Sequence, residues 1–194
     1  GPKCPDTKKA ETVSDQVLAD NSYINCENII SLVIEETVKE IGQSCFENCI
    51  YLEGPLIIPK FVTTIGMNAF KNCSVLNNLV FNDATSLTTI GASAFAFCES
   101  ITTIDIIPTN LNSLGDSAFE NCSKLSSEII LPDSLLIINQ RTFYNCHKLP
   151  YLTLGNKVQK ILKESFYDCS QLKLKSNDDE YLPKTLSEIG DYAF

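Results

Sequence analysis

The chain has 194 residues, 44% of them hydrophobic and 20% charged, a balance that suits a folded protein with one substantial core or an elongated array. Fifteen lysines and arginines against 24 acids leave a net charge of −9 with no basic stripe, which argues against nucleic acid and anionic membranes as partners. No stretch approaches the roughly 18 uninterrupted apolar residues of a membrane span, and no charged-then-apolar leader opens the chain, so no membrane insertion by this segment is expected.

Residues 1–22 carry no repeated pattern, and "TVSDQVLAD" (12–20) has some helical character. They are expected to form an N-terminal arm that caps the first turn of a repeat array, because the open end of such an array exposes core and strand edges. From residue 23 to 194 the chain repeats itself. Phe46, Phe70, Phe95, Phe119, Phe143, Phe166 and Phe194 recur at separations of 24, 25, 24, 24, 23 and 28. Cys49, Cys73, Cys98, Cys122, Cys146 and Cys169 keep step, each three residues after its Phe, and Tyr23 with Cys26 extends both columns upstream. One unit reads F-x-x-C-x-x-L, an apolar stretch often ending in Pro, then [LV]-x-x-[IL]-G-x-x-A. The chain stops inside such a unit, at "IGDYAF", so it reads as a piece of a longer protein with an open C-terminal end prone to fraying or self-association.

Within a unit, "LIIP" (56–59) and "IILP" (129–132) suit short strands stopped by Pro, which cannot donate to a ladder. In "VTTIG" (62–66) Val62 and Ile65 are expected to point inward, and Gly66 to supply a position with φ > 0. Asn139 replaces that Gly in one unit and tolerates the same region; Leu162 replaces it in another and is a departure. "MNAFKNC" (67–73) looks like a single helical turn. No unit can bury its own apolar residues, so neighbours must stack.

The runs "IGMNAFKNCSVL" (65–76) and "LGDSAFENCSKL" (114–125) resemble the Treponema-type, BspA-like leucine-rich repeat, over residues 23–194. The resemblance implies an α/β repeat solenoid of mostly short parallel strands, a right-handed horseshoe of about seven turns. It also implies a cell-surface or secreted protein used for adhesion or host interaction, with a host or microbial surface or matrix protein as partner. Such a family predicts fold better than ligand.

Seven cysteines (26, 49, 73, 98, 122, 146, 169) share one slot and should stand in a row about 4.8 Å apart. Parallel side chains in a row lack the crossed geometry of a disulfide, so buried free thiols are expected there. No C-x-x-C pair is present and a straight row is not a tetrahedron, so no zinc site is expected. Cys45 reads as core, and Cys4 either stays free or bridges to Cys26 or Cys45. The single histidine, His147, follows ladder Cys146, a Cys–His pair that adjacent residues at a turn would splay apart. The acidic run "NDDE" (177–180) lacks the glycine turn of a calcium loop and reads as solvated. "NCS" gives glycosylation sequons at Asn72 and Asn121, which the repeat itself generates. No acid, base and nucleophile converge in these columns, so no catalytic residue, metal or cofactor is expected.

The middle residue of each unit's first strand should face outward. By alignment these are Val33, Ile57, Val80, Asp105, Ile130 and Thr153, with "IDIIP" (104–108) open to a shift of one residue either way. Four of the six are aliphatic, and a contiguous apolar stripe on a solvent-facing column suggests a contact surface; strand propensity alone, or a stripe covered by self-association of the chain, is the plain alternative. Two readings of function result. The leading one is a non-enzymatic protein-binding module, the other a spacer or self-assembling array that projects another domain. A glycan site lacks the tryptophans such sites often use, for the chain has none.

Overall fold

The computed structural model describes residues 1–176 and 182–194. Sixteen short strands run in chain order: β1 (Lys9–Val13), β2 (Val17–Leu18), β3 (Ile29–Ile34), β4 (Glu40–Ile41), β5 (Leu56–Ile57), β6 (Thr64–Ile65), β7 (Asn78–Val80), β8 (Thr89–Ile90), β9 (Thr103–Ile104), β10 (Ser113–Leu114), β11 (Ile129–Ile130), β12 (Ile137–Ile138), β13 (Tyr151–Leu154), β14 (Lys160–Ile161), β15 (Lys173–Ser176) and β16 (Glu188–Ile189). Odd strands stack on one side of the coil and even strands on another, and every pairing is parallel. The third side is the F-x-x-C turn. The result is a parallel β-solenoid of about seven turns, as expected.

The helical part of the α/β expectation is the exception, for no helix occurs among the described residues. "MNAFKNC" is instead a chain of tight turns. Ala69, Lys71 and Cys73 N–H groups each donate back three residues, to Gly66, Asn68 and Phe70 carbonyls (3.2 Å each). The alternate amides of Asn68, Phe70 and Asn72 donate across to Ala92, Ala94 and Ala96 of the next rung (2.8–2.9 Å). That pattern needs a left-handed residue at two places per turn, here Asn68 (φ 58°) and Asn72 (φ 61°). Asn is among the residues most tolerant of that region, which explains the "NC" dipeptide of so many units.

The glycine before the turn has a different purpose from the one expected. No glycine has a positive φ, nor has Asn139 or Leu162. A Cβ added to Gly66 would lie 2.8 Å from the Gln43 nitrogen, and one on Gly91 would lie 2.6 Å from that of Met67. Close backbone approach between rungs excludes the side chain.

Like residues then stack on like. Rings from Tyr23 to Phe194 form a continuous row, with centroids 5.1–5.6 Å apart and planes within 10° of parallel. Each such pair contributes about 0.5–1.5 kcal/mol beyond its burial. The cysteine row runs alongside, and each thiol donates to the carbonyl of the previous unit's aromatic residue: Cys73 to Phe46 (3.3 Å), Cys98 to Phe70 (3.2 Å), Cys122 to Phe95 (3.4 Å). A third row joins Asn72 Nδ2 to Asn48 Oδ1 (2.7 Å) and Asn145 Nδ2 to Asn121 Oδ1 (2.8 Å), so both sequon asparagines sit in amide ladders.

Cys26 departs from the row. It is bonded to Cys4, with a Cα–Cα distance of 5.2 Å, while the six ladder cysteines from 49 onward and Cys45 are free. No earlier aromatic carbonyl stands where a Cys26 thiol would need one, and the N-terminal segment brings Cys4 there instead. That segment is not helical at 12–20: β1 pairs with β3 and β2 with β4, and Val13 and Leu18 are buried, so it supplies the first rung of both ladders. The acidic run at 177–180 lies outside the described residues.

Truncating one ring removes contacts on both of its faces. Phe119→Ala is expected to cost about 3–5 kcal/mol, read from the urea midpoint at constant slope. For the thiols, denatured protein without reductant should titrate seven free groups, and nine after reduction. Burial pushes the Cys98 and Cys49 thiols up to about 12 from 9.0. A raised folded pKa means the folded state holds its proton more tightly. Stability should therefore be intact below pH 9 and fall between pH 9 and about 12, as unfolded thiols ionise and folded ones do not. A flat stability profile across that window would contradict the buried row.

Candidate binding face

On the odd-strand side, register puts Leu56, Leu79 and Ile104 in one inward column, with Ile129, Leu152 and Leu174 in the same column beyond β9. The next residue of each strand faces out. Ile57 lies beside Val80, and Ile130 beside Thr153 and then Lys175. Val33, Ile57 and Ile130 are 52, 50 and 56% exposed. Val80 is half-buried. Thr153 is 8% exposed, so it offers no open surface, contrary to the expectation for that position. Exposed Ile106 and Tyr151 add apolar surface to the same side, the latter with Lys175 Nζ 4.6 Å from its ring centre. The alternating pattern gave no sign of either.

Asp105 is the informative member. Two other rungs on this side have the residue after the stripe donating to the next rung's stripe carbonyl: Ile58 N–H to Val80 (3.0 Å) and Leu131 N–H to Thr153 (2.9 Å). At Asp105 the side chain intercepts both such donors: Phe81 N–H and Ile106 N–H bond to its Oδ1 at 2.7 and 2.8 Å. Ser127 does the same one step back, its Oγ accepting from Ile104 N–H (3.1 Å) and lying 3.3 Å from the Ile104 carbonyl. The odd ladder is cut here, between β9 and β11, as it also is between β3 and β5. The even ladder is cut at the same boundary, between β10 and β12, where the Asn139 side-chain amide takes the Leu114 carbonyl (2.6 Å).

Both sheets open at this seam while the turn side holds. Phe119 N–H still reaches the Thr142 carbonyl (2.9 Å) and the Phe119 and Phe143 rings remain 5.6 Å apart. Arg141 clamps the same boundary, bonded to Glu120 of the rung before and Glu164 of the rung after (2.5 Å to the latter), with its guanidinium 3.7 Å from the Tyr144 ring centre. On the odd-strand side the opening is a cleft of about 320 Å³, lined by Asp105, Ile106, Ser127, Glu128 and Ile130 among others.

The pair considered for catalysis is not assembled. Cys146, fully buried, donates to the Phe119 carbonyl (3.2 Å), and burial holds its thiol well above its ordinary pKa. His147 turns away to the solvent side, its Nδ1 3.5 Å from an Asp168 carboxylate oxygen. Among the described residues no three His, Cys, Asp or Glu side chains gather as metal ligands, and no helix is long and apolar enough to cross a membrane.

A model of the BspA type leucine rich repeat region matches residues 16–127 and 106–194, with six copies. Among solved structures, a leucine-rich repeat protein from Bacteroides ovatus is 29% identical with a TM-score of 0.77, covering 91% of this chain and 43% of that one. The leucine rich repeat protein of T. pallidum is 25% identical with a TM-score of 0.75, covering 85% of this chain and 78% of that one. A leucine rich cell surface protein from Faecalibacterium prausnitzii shares the fold at 18% identity and a TM-score of 0.57, covering 92% of this chain and 58% of that one. This chain thus spans 43% of the Bacteroides protein's length. A comparison with curated proteins gave no match. The stacked rings, the thiol row and the family model covering most of the sequence agree: the chain belongs to the BspA type leucine-rich repeat family.

Proposed function

We propose that this protein is a non-enzymatic protein-binding module of a cell-surface or secreted adhesin-like protein, and that the odd-strand face engages a surface or matrix protein of a host or another microbe. The observation that carries the reading is the outward column, where Val33, Ile57 and Ile130 are each at least half exposed on the odd-strand side. A regular sheet face with no partner normally presents polar residues, and exposed aliphatic residues recurring along one side suggest a contact surface. Binding energy at such surfaces concentrates in a few central anchors, and exposed Tyr151 and Ile106 are of the right kind. The Cys4–Cys26 bridge supports an oxidising location, outside the cytosol.

The test is capture of matrix and epithelial surface proteins by the purified chain. Ile57→Lys with Ile130→Lys should weaken capture at least about a hundredfold, because each lysine would be desolvated at the contact without a partner. Exposed Asn112, outside the odd-strand face, provides the control as Asn112→Lys, with capture unchanged. Circular dichroism and melting curves establish that all variants are folded. Equal capture by the stripe variant and the parent would rule the face out.

A further inference from the structure

We infer that the cleft at the seam is a recess for an arginine side chain presented by the partner, an inference that rests on reading the odd-strand face as the interaction surface. The seam is built from hydrogen-bond acceptors. Its two strand-edge donors, the N–H groups of Ile104 and Ile106, are consumed by Ser127 Oγ and Asp105 Oδ1, the latter also holding the Phe81 N–H of the rung before. In the regular ladder the Ile106 N–H would have gone to the Ile130 carbonyl, as Ile58 N–H goes to Val80, so its diversion leaves that carbonyl without this donor. Asp105, Glu128 and Ile130 all line the opening. Neither Asp105 nor Glu128 takes part in an ion pair among the described residues, although Glu120 and Glu164 across the same boundary are both held by Arg141.

Two backbone donors fix the Asp105 carboxylate in place, so little ordering is left for a ligand to impose. The walls beside it are apolar: Ile106 and Ile130 are 44 and 56% exposed. A side chain with an apolar stem and a cationic head full of donors matches that arrangement. Guanidinium has five N–H groups in a rigid fork and no acceptor, whereas an ammonium is a compact, strongly hydrated point charge. The two carboxylates lining the cleft favour the fork, its stem lying along Ile106 and Ile130. The chain's net charge of −9 would add attraction at longer range.

The experiment follows backbone amide shifts of the isotope-labelled chain during titration with Nα-acetylarginine amide, its lysine counterpart and the uncharged citrulline counterpart. Saturating shifts confined to residues 103–107 and 127–130 are expected, with arginine at least tenfold tighter than either of the others. Asp105→Asn with Glu128→Gln should weaken arginine at least tenfold, since the Asn oxygen still accepts the two N–H groups while the charge is gone. Glu128→Gln alone, which disturbs no bond of the seam, serves should the double variant fail to fold. Shifts spread evenly over acidic positions, or citrulline or lysine equal to arginine, would overturn the recess. The titration needs no natural partner. A flat response at the seam sinks the recess even where the stripe variant loses capture, and unchanged capture by that variant sinks the face even where arginine binds.

Discussion

Everything in this protein depends on one rung lying about one strand spacing above the last. At that spacing a side chain can be completed only by the same position in the next rung, which turns chemistry into columns. Rings stack face to face at 5.1–5.6 Å because parallel placement permits little else. Thiols in a row cannot bridge to one another, so each finds an aromatic residue's carbonyl in the unit before, and asparagine amides pair end to end. The backbone of the turn side obeys the same rule, its alternate N–H groups all aimed at the next rung. No rung is closed by its own residues, and stability is a property of neighbours.

The same constraint explains which residues signal something other than packing. A residue that breaks its column must replace the contacts its column would have made. Asp105 and Ser127 do this at the odd ladder and Asn139 at the even one, each supplying a side-chain atom where a backbone atom was due. The two ladders part at one boundary, and the turn side stays continuous there and carries Arg141 between two carboxylates. A wedge opened on two sides and held on the third is a coherent local change. It places polar groups in the middle of an apolar face without breaking the array.

The columns are legible in the sequence because each is stated six or seven times, and repetition averages out the exceptions. Phe, Cys and Leu can be placed in the core from spacing alone. The reason for Gly66 cannot, since a tight turn and a close approach between backbones both demand glycine and only coordinates separate them. The turn passes for helix because its three-residue hydrogen bonds share the spacing of a helical turn; the recurrent Asn at positions 48, 72, 121 and 145 is the available clue to left-handed residues. Cys26 occupies the right slot, yet residues 1–22 before its unit carry no aromatic residue whose carbonyl could accept from its thiol. Thr153 aligns with the outward column and is nevertheless covered, since burial on the outward side depends on long neighbours that strand alternation does not encode.

The seam is illegible for a deeper reason. Asp105 and Ser127 are ordinary residues for a solvent-facing strand, and "IDIIP" fits the pattern in two registers, so the sequence contains no mark of a broken ladder. Only the hydrogen-bond partners reveal it: a carboxylate oxygen receiving two backbone donors that belong to different rungs. In a solenoid the inward columns answer to stacking and carry little freedom for function. Freedom lies in the outward columns, and within those it is greatest where a rung has already given up its regular pairing. Interruption and exposure coincide here at the cleft between β9 and β11, bounded by Ile106 and Ile130 and edged by two carboxylates with no ion-pair partner among the described residues. On the proposed reading of this face, an apolar stripe alone would hold many partners loosely, whereas charges fixed at one rung would set register along the array. Recognition by a repetitive surface needs such a singular point, because otherwise each rung is as good as the next.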